Sequence, residues 1–334
     1  MHVLVIGGSR FVGYQLVWRL LVAGHHVTVL NRGTRPDPFH GRVEYLRADR
    51  TGSDFPRVLS GRTFDAAVDF AAYTGEDARR AVDVLGSSVG HYIFISTGQV
   101  YLVRQDATRP GQVPAREEDY DGPVLSVSPT PRDEEERLYG IGKRDAEDVL
   151  RLAYAERGFP ATRLRIPVVN GERDHFRRIE GYLWRLLDGG PLILPDGGRQ
   201  IVRHVYGSAV AQAIAGILGD TRTCGEAYNL AQDEIPTLRE VVEELAELMG
   251  TSAQVVAVPF SDIEAAGLDP VAVSPFSDPW TSFLDPTKAK EQLGFQHVPL
   301  NEYLGRIVAC FVNHPPDAPP DTYRDRAAEL SLVR

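Results

Sequence analysis

"HVLVIGGSRFVGYQLVWRLLVAG", residues 2–24, decides how the rest of the chain is read. "HVLVIG" (2–7) is a short, continuously apolar run, the pattern of a parallel strand covered on both faces. "FVGYQLVWRLLVAG" (11–24) carries apolar residues at helical spacing and ends on Gly24, a residue suited to close a helix. Between them lies "GGSRFVG": Gly7, Gly8, Ser9, Arg10, Phe11, Val12 and Gly13. Glycines in a strand-to-helix turn let the backbone approach a phosphate closely, and the helix N-terminus adds unpaired N–H groups and a positive dipole end. These seven residues form the candidate pyrophosphate loop. The usual middle glycine of such a loop is here Arg10.

The pattern repeats outward from this stretch. "HHVTVLNRG" (25–33), "VEYLRADR" (43–50), "FDAAVDFAAY" (64–73) and "HYIFISTGQVY" (91–101) read as further strands, with a helix at "EDARRAVDVLG" (76–86). Repeated strand–helix–strand units imply a parallel sheet with right-handed crossovers. The second strand ends in "LNRGTR", with Asn31, Arg32 and Arg35. An NAD site generally places a carboxylate there, to accept hydrogen bonds from the adenine ribose. Guanidinium groups at Arg10 and Arg32 would instead clamp a 2′-phosphate, so NADP is expected rather than NAD.

Bulk composition removes several classes. With 334 residues, 43% apolar and 25% charged, the chain has the size and balance of a globular α/β protein. A formal net charge of −10 argues against a general nucleic-acid binder. Cys224 and Cys310 form no metal-ligand spacing, so neither a disulfide framework nor a metal is expected. No apolar run is long enough for a membrane span, and the N-terminus reads as a buried strand rather than a signal peptide. A reduced, cytoplasmic protein is expected.

Residues 102–138 break the regularity with five prolines and the acidic clusters "EEDYD" and "DEEE"; they read as a solvated excursion or a substrate lid. "DEEERLYGIGKRDAEDVLRLAYAERG" (133–158) then reads as a long helix. It carries Tyr139 and Lys143, and Lys143 is one of only three lysines, with Lys288 and Lys290. Residues four apart share a helix face. Hydride transfer at a secondary alcohol needs a group that removes or returns the hydroxyl proton. A phenol is reluctant at neutral pH, and a neighbouring ammonium favours its ionised form. A third group should orient the substrate oxygen, and "ISTGQVY" offers Ser96 or Thr97 at the carboxyl edge of the sheet, with Thr97 the preferred candidate. His175 and His204 are the candidates for any second acid/base pair.

With "DFAAY" (69–73), "STGQVY" (96–101), "YGIGK" (139–143), "RIPVVNG" (165–171), "EAYNLA" (226–231) and "DPTKAKEQLGF" (285–295), the chain resembles the NAD(P)-dependent epimerase/dehydratase family, among the extended and atypical short-chain dehydrogenase/reductases. The resemblance implies a Rossmann-type doubly wound parallel sheet with a smaller C-terminal α/β substrate lobe. Residues 1–170 and about 201–234 are then the dinucleotide domain, about 171–200 and 235–312 the lobe, and 313–334 a surface tail, whose proline-rich stretch 313–326 reads as extended. The resemblance makes Thr97, Tyr139 and Lys143 the catalytic triad, with Lys143 also on the nicotinamide ribose. It puts Asp49 at the adenine, Ala71 and Ala72 in the cofactor cleft, and Pro167 beside the nicotinamide carboxamide. Gln99, Asn170 and Arg203 become substrate contacts, Arg203 on a nucleotide-sugar diphosphate. Dehydratase members carry Asp-Glu straight after the threonine, whereas this chain has Gly98 and Gln99, so water elimination is not expected. "GGSR" resembles an atypical branch that includes chloroplast stem-loop RNA-binding proteins. The expected function is therefore an NADP-dependent ketoreductase or epimerase of a nucleotide sugar or related carbohydrate, and a homodimer through helices 76–86 and 133–158. The alternative is a non-catalytic NADP-sensing or RNA-binding scaffold.

Overall fold

In β1 (His2–Ile6), alternate residues face opposite ways: Val3 and Val5 enter one core, Leu4 and Ile6 another, and all four are buried. That explains the unbroken apolar run, since helices cover both faces of the sheet. The fold comes from a computed structural model, which describes residues 1–107 and 113–333. The next strands are β2 (His26–Asn31), β3 (Glu44–Arg47), β4 (Ala66–Asp69), β5 (Tyr92–Thr97) and β6 (Ala161–Ile166). Then come β7 (Val169–Asn170), β8 (Leu192–Pro195), β9 (Val205–Tyr206), β10 (Ala227–Asn229) and β11 (Val255–Val258). Seven of them form one parallel sheet in the order β10-β6-β5-β4-β1-β2-β3, the doubly wound Rossmann-type arrangement. β7 with β9, and β8 with β11, are separate parallel pairs.

Helix α1 (Phe11–Val22) lies on the Val3 and Val5 face, while α2 (Asp54–Leu59) and α3 (Gly75–Leu85) lie on the other. After the short α4 (Gln99–Leu102) comes α5 (Glu134–Arg157), packed beside α3. It ends where Gly158 turns left-handed at φ +66°. A Cβ on Gly142, in mid-helix, would stand 2.6 Å from the Tyr73 carbonyl oxygen. That close approach brings α5 against the turn after β4, and the cost of a helical glycine, about 1 kcal/mol, is offset there by position.

Toward the C-terminus lie α6 (Arg178–Leu187), α7 (Gly207–Ile217), α8 (Leu238–Leu248), α9 (Phe260–Ala265), α10 (Pro270–Val273), α11 (Thr287–Leu293), α12 (Leu300–Asn313) and α13 (Arg326–Leu332). Leu183 of α6, Val242 of α8 and Tyr303 of α12 join the same buried cluster as Val3 and Leu16. One apolar core therefore runs from the sheet into the C-terminal half. Among the described residues, no helix is long and apolar enough to cross a membrane.

Two expectations are corrected. The segment 102–138, part of which (108–112) lies outside the described residues, is pinned rather than a loose excursion. Ala115 bridges to Leu284, the Asn229 N–H donates to the Glu117 carboxylate at 2.6 Å, and Tyr120 is buried under the guanidinium groups of Arg144 and Arg165. The expected surface tail is instead anchored at its end, where it coils into α13. There Glu329, 1% exposed, pairs with buried Arg185 and accepts from Arg326 at 3.0 Å. A charge buried that deeply requires its partners, so α13 is locked down by ion pairs that proline content does not reveal.

Candidate active site

A trough runs along the carboxyl ends of the strands. Its larger end, a cleft of about 740 Å³, is lined by Gly7, Ser9, Arg10, Asn31, Arg32, Arg35, Asp49, Arg50 and Ala71 among others. Gly7 has φ +84°, and a Cβ there would come within 3.3 Å of the Ala71 Cβ, so glycine keeps the wall open. Arg10 sits in extended backbone at φ −128°, which any residue adopts, so the loop tolerates an arginine where a glycine is usual. Positive φ falls instead on Phe11, at 38°. Asn31 donates to the Ser9 hydroxyl at 2.7 Å and accepts from the Gly33 N–H at 2.8 Å, bracing the loop. The Asp49 carboxylate takes the Thr51 N–H and hydroxyl, which hold it below its ordinary range. Buried Asp69 accepts from the Ala71 and Ala72 N–H groups, from Tyr92 and from Arg50, and so fixes the turn after β4. Gly8 and Ala72 stand behind the surface rather than on it.

The narrower end, about 370 Å³, shares Gly7, Arg10, Phe70 and Tyr73 with the first, so the two are continuous. Phe11, Val12, Gly13, Thr97, Gln99, Tyr139, Lys143 and Pro167 all line it. Ser96, which the sequence left open against Thr97, gives its hydroxyl to Glu147 at 2.5 Å, inside a buried network with Arg165. Lys143 is 3% exposed and donates to the Ala72 and Ile95 carbonyls at 2.7 and 2.8 Å. Its ammonium lies over the Tyr73 and Phe94 rings, and burial pulls it down to about 8. Burial pushes the Tyr139 phenol up to about 12, opposed by a hydrogen bond with Thr97. The Glu136 carboxyl pushes it the same way as burial. The Lys143 ammonium is 6.0 Å from the Tyr139 ring centre and is engaged by two carbonyls.

The three substrate residues separate. Gln99 lines the trough and donates its amide to Glu136, a carboxyl that burial pushes up. Asn170 is 1% exposed and donates to His204 Nδ1 at 3.0 Å, away from the surface. Arg203 departs from the diphosphate role that the resemblance implied. Its guanidinium donates to the Gln232, Leu284 and Asp233 carbonyls at 2.7, 2.8 and 3.2 Å, and it lines neither end of the trough. His204 is wholly buried and pulled down to about 3 by that burial, so it stays neutral, whereas His175 does line the trough.

Sequence reasoning missed the opposite wall. Asp174, Phe176, Arg178, Trp280 and Ser282 complete the narrower end. Arg178 stacks on Phe176 at 4.2 Å and lies 3.5 Å from Asp174. These residues come from two stretches about a hundred positions apart, 174–178 and 280–282, and "RDHFRR" around His175 was the signal in the sequence.

A profile of the NAD dependent epimerase/dehydratase family matches residues 3–231. The chain is 26% identical over 262 residues to the Arabidopsis thaliana chloroplast stem-loop binding protein of 41 kDa b, a match that spans 74% of this chain and 63% of that one. It is 22% identical over 325 residues to the UDP-N-acetyl-alpha-D-glucosaminuronate decarboxylase of Bacillus cytotoxicus, covering 87% and 91%. Among solved structures, the dTDP-glucose 4,6-dehydratase of Bacillus anthracis, in complex with NAD, superposes with a TM-score of 0.73 at 17% identity, covering 94% and 97%. The UDP-glucuronic acid 4-epimerase of Bacillus cereus gives 0.69 at 18%, covering 94% and 99%. At such identity these structures establish the shared fold.

Proposed function

Since the chain belongs to the NAD dependent epimerase/dehydratase family, we propose that it moves a hydride between NADP and a secondary alcohol or ketone, on a nucleotide sugar or related carbohydrate. The observation that carries this reading is the convergence of Thr97, Tyr139 and Lys143 on the trough that the glycine loop enters. In support of a dinucleotide, the walls at Gly7 and Ala71 leave room for little but backbone. Arg10 makes no side-chain cap on α1, so the first N–H groups of that helix stay available to a phosphate. Arg10, Arg32 and Arg35 line the far end, and the Asn31 amide is already engaged, which favours a 2′-phosphate over a bare ribose.

When bound, the dinucleotide supplies the hydride donor or acceptor. Tyr139 then gives or takes the proton at the substrate oxygen, and Thr97, beside it on the trough, orients that oxygen. Lys143 holds the ribose edge from the floor of the trough. With its phenol near 12, Tyr139 remains a weak acid until positive charge arrives beside it. Net reduction and epimerisation share this chemistry. Residues 1–170 with about 201–234 are proposed as the dinucleotide domain, and about 171–200 with 235–312 as the substrate lobe. A homodimer through the exposed faces of α3 and α5, which carry Leu152 and Tyr154, is proposed with them.

Calorimetric titration with NADPH and NADH tests the reading. NADPH should bind at least about tenfold more tightly, as charge-assisted contacts to one phosphate imply. A panel of nucleotide sugars and small ketones should then show either absorbance change at the reduced nicotinamide band or turnover without it. Absence of binding by either dinucleotide overturns the proposal. A second reading, a scaffold for structured RNA, draws on the stem-loop binding relative and is opposed by the net charge of −10. Tight RNA binding without nucleotide binding would select it.

A further inference from the structure

The trough occupies the carboxyl ends of the strands; a different cluster occupies the amino ends. His2 begins β1, His26 begins β2 and Glu44 begins β3. His2 pairs with His26, and Glu44 pairs with Thr28, two residues along from His26 and on the same face of the strand. The register of three neighbouring strands thus sets two imidazoles and a carboxylate together, each offering a ligand atom within 4.8 Å of the other two. We propose that His2, His26 and Glu44 form a binding site for a divalent transition-metal ion, zinc foremost, at the edge of the sheet opposite the trough.

Two imidazoles and one carboxylate are a donor set that zinc takes readily, with a solvent molecule in the fourth position. The tetrahedral geometry asks for ligand atoms about 3.3 Å apart, so the cluster must contract by roughly 1 Å. His26 is exposed and free to turn inward, its ring centre already 4.4 Å from that of His2. A second shell is also present. The Thr28 hydroxyl donates to Glu44 at 2.9 Å and meets His2 Nε2 at 2.8 Å. With the Thr28 proton committed to Glu44, His2 Nε2–H is the donor, which leaves the Nδ1 lone pair to bind a metal. One group opposes the site: Arg62 lies 2.8 Å from Glu44 and must yield part of that carboxylate.

A metal here would pin β1, β2 and β3 at the end where their pairing starts. β1 has five residues, about 16 Å of strand, so the site is remote from the trough and should leave dinucleotide binding unchanged. The full chain, without a histidine tag, is titrated with Zn²⁺ against a competing chelating dye, alongside His26→Ala, Glu44→Gln and Arg62→Ala. One equivalent should bind, at least about tenfold more weakly in the first two variants and more tightly in Arg62→Ala. Zinc should also raise the melting temperature of the parent protein and not that of His26→Ala. All three side chains are at or near the surface, and circular dichroism confirms that each variant folds. Binding equal in parent and His26→Ala, binding elsewhere such as Cys224 or Cys310, or no binding at micromolar zinc overturns the site.

Discussion

The two ends of the trough are built by different means. The wide end is drawn from the first 77 residues alone: the loop at 7–10, the ends of β2 and β3, and the turn after β4. The narrow end joins Thr97 and Gln99 to Tyr139 and Lys143 on α5, and then to Arg178 and Trp280 from the C-terminal half. Backbone geometry decides the first, because an allowed φ and a missing Cβ are local properties. Side-chain direction and packing decide the second. A sharp test of that contrast removes one oxygen from the narrow end and leaves the wide end intact. Tyr139→Phe should lower turnover by about 10²–10⁴ with dinucleotide affinity unchanged, read from steady-state rates beside a binding titration. A parallel loss of affinity would mean that the two ends are one unit.

The floor of the narrow end is the next target. Arg165 and Glu147 pair at 2.6 Å with side chains essentially buried, and their network takes in Ser96, Tyr101 and, through Tyr120, the pinned segment before α5. Arg165→Met leaves the Glu147 charge without its main partner. The fold should lose about 3–5 kcal/mol, measured by urea denaturation. A loss under about 1 kcal/mol would show that Arg163, 3.9 Å from Glu147, takes over.

Lys143 lines the narrow end, and its burial has a signature in pH. Its value drops from 10.5 to about 8 in the folded chain. Between those values the unfolded state binds the extra proton, so this group's contribution makes stability rise with pH. Below about 8 both states are charged and the whole cost is present, about 3 kcal/mol. Lys143→Met should therefore gain on the parent at pH 7, and that advantage should shrink as pH climbs from about 8 toward 10.5. Urea midpoints at a series of pH values read the difference. A constant gap across that window would mean that the two carbonyl contacts fully repay the buried charge.

This contrast also explains what the sequence could say. The order of strands and helices, the left-handed end of α5 at Gly158 and the positive φ of Gly7 follow from residues close together in the chain. The bond from Ser96 to Glu147 did not, because that partner lies fifty positions away. Arg203 carries the expected motif but spends its N–H groups on carbonyls that only the tertiary fold supplies. The ion pairs of α13 and the wall around Arg178 are likewise contacts between distant segments. The cluster of His2, His26 and Glu44 lies on three strands, so no ligand spacing along the chain could announce it.

The smallest effect should come from the rim of the wide end, where residues are most solvated. Arg32 lines the cleft beside Asn31, and its neighbour Arg10 also reaches the narrow end. On the proposed reading, Arg32→Ala removes one of the three arginines, with Arg10 and Arg35, at the 2′-phosphate end. An exposed ion contact of this kind is worth about 1 kcal/mol at most, so NADPH affinity should fall about fivefold. NADH affinity should not move, because Arg32 has nothing to hold on an unphosphorylated ribose. The NADPH loss should fade in high salt, where exposed charges are screened. Equal losses for both dinucleotides would assign Arg32 to the adenine instead, and would transfer the phosphate preference to Arg10 and the backbone that carries it.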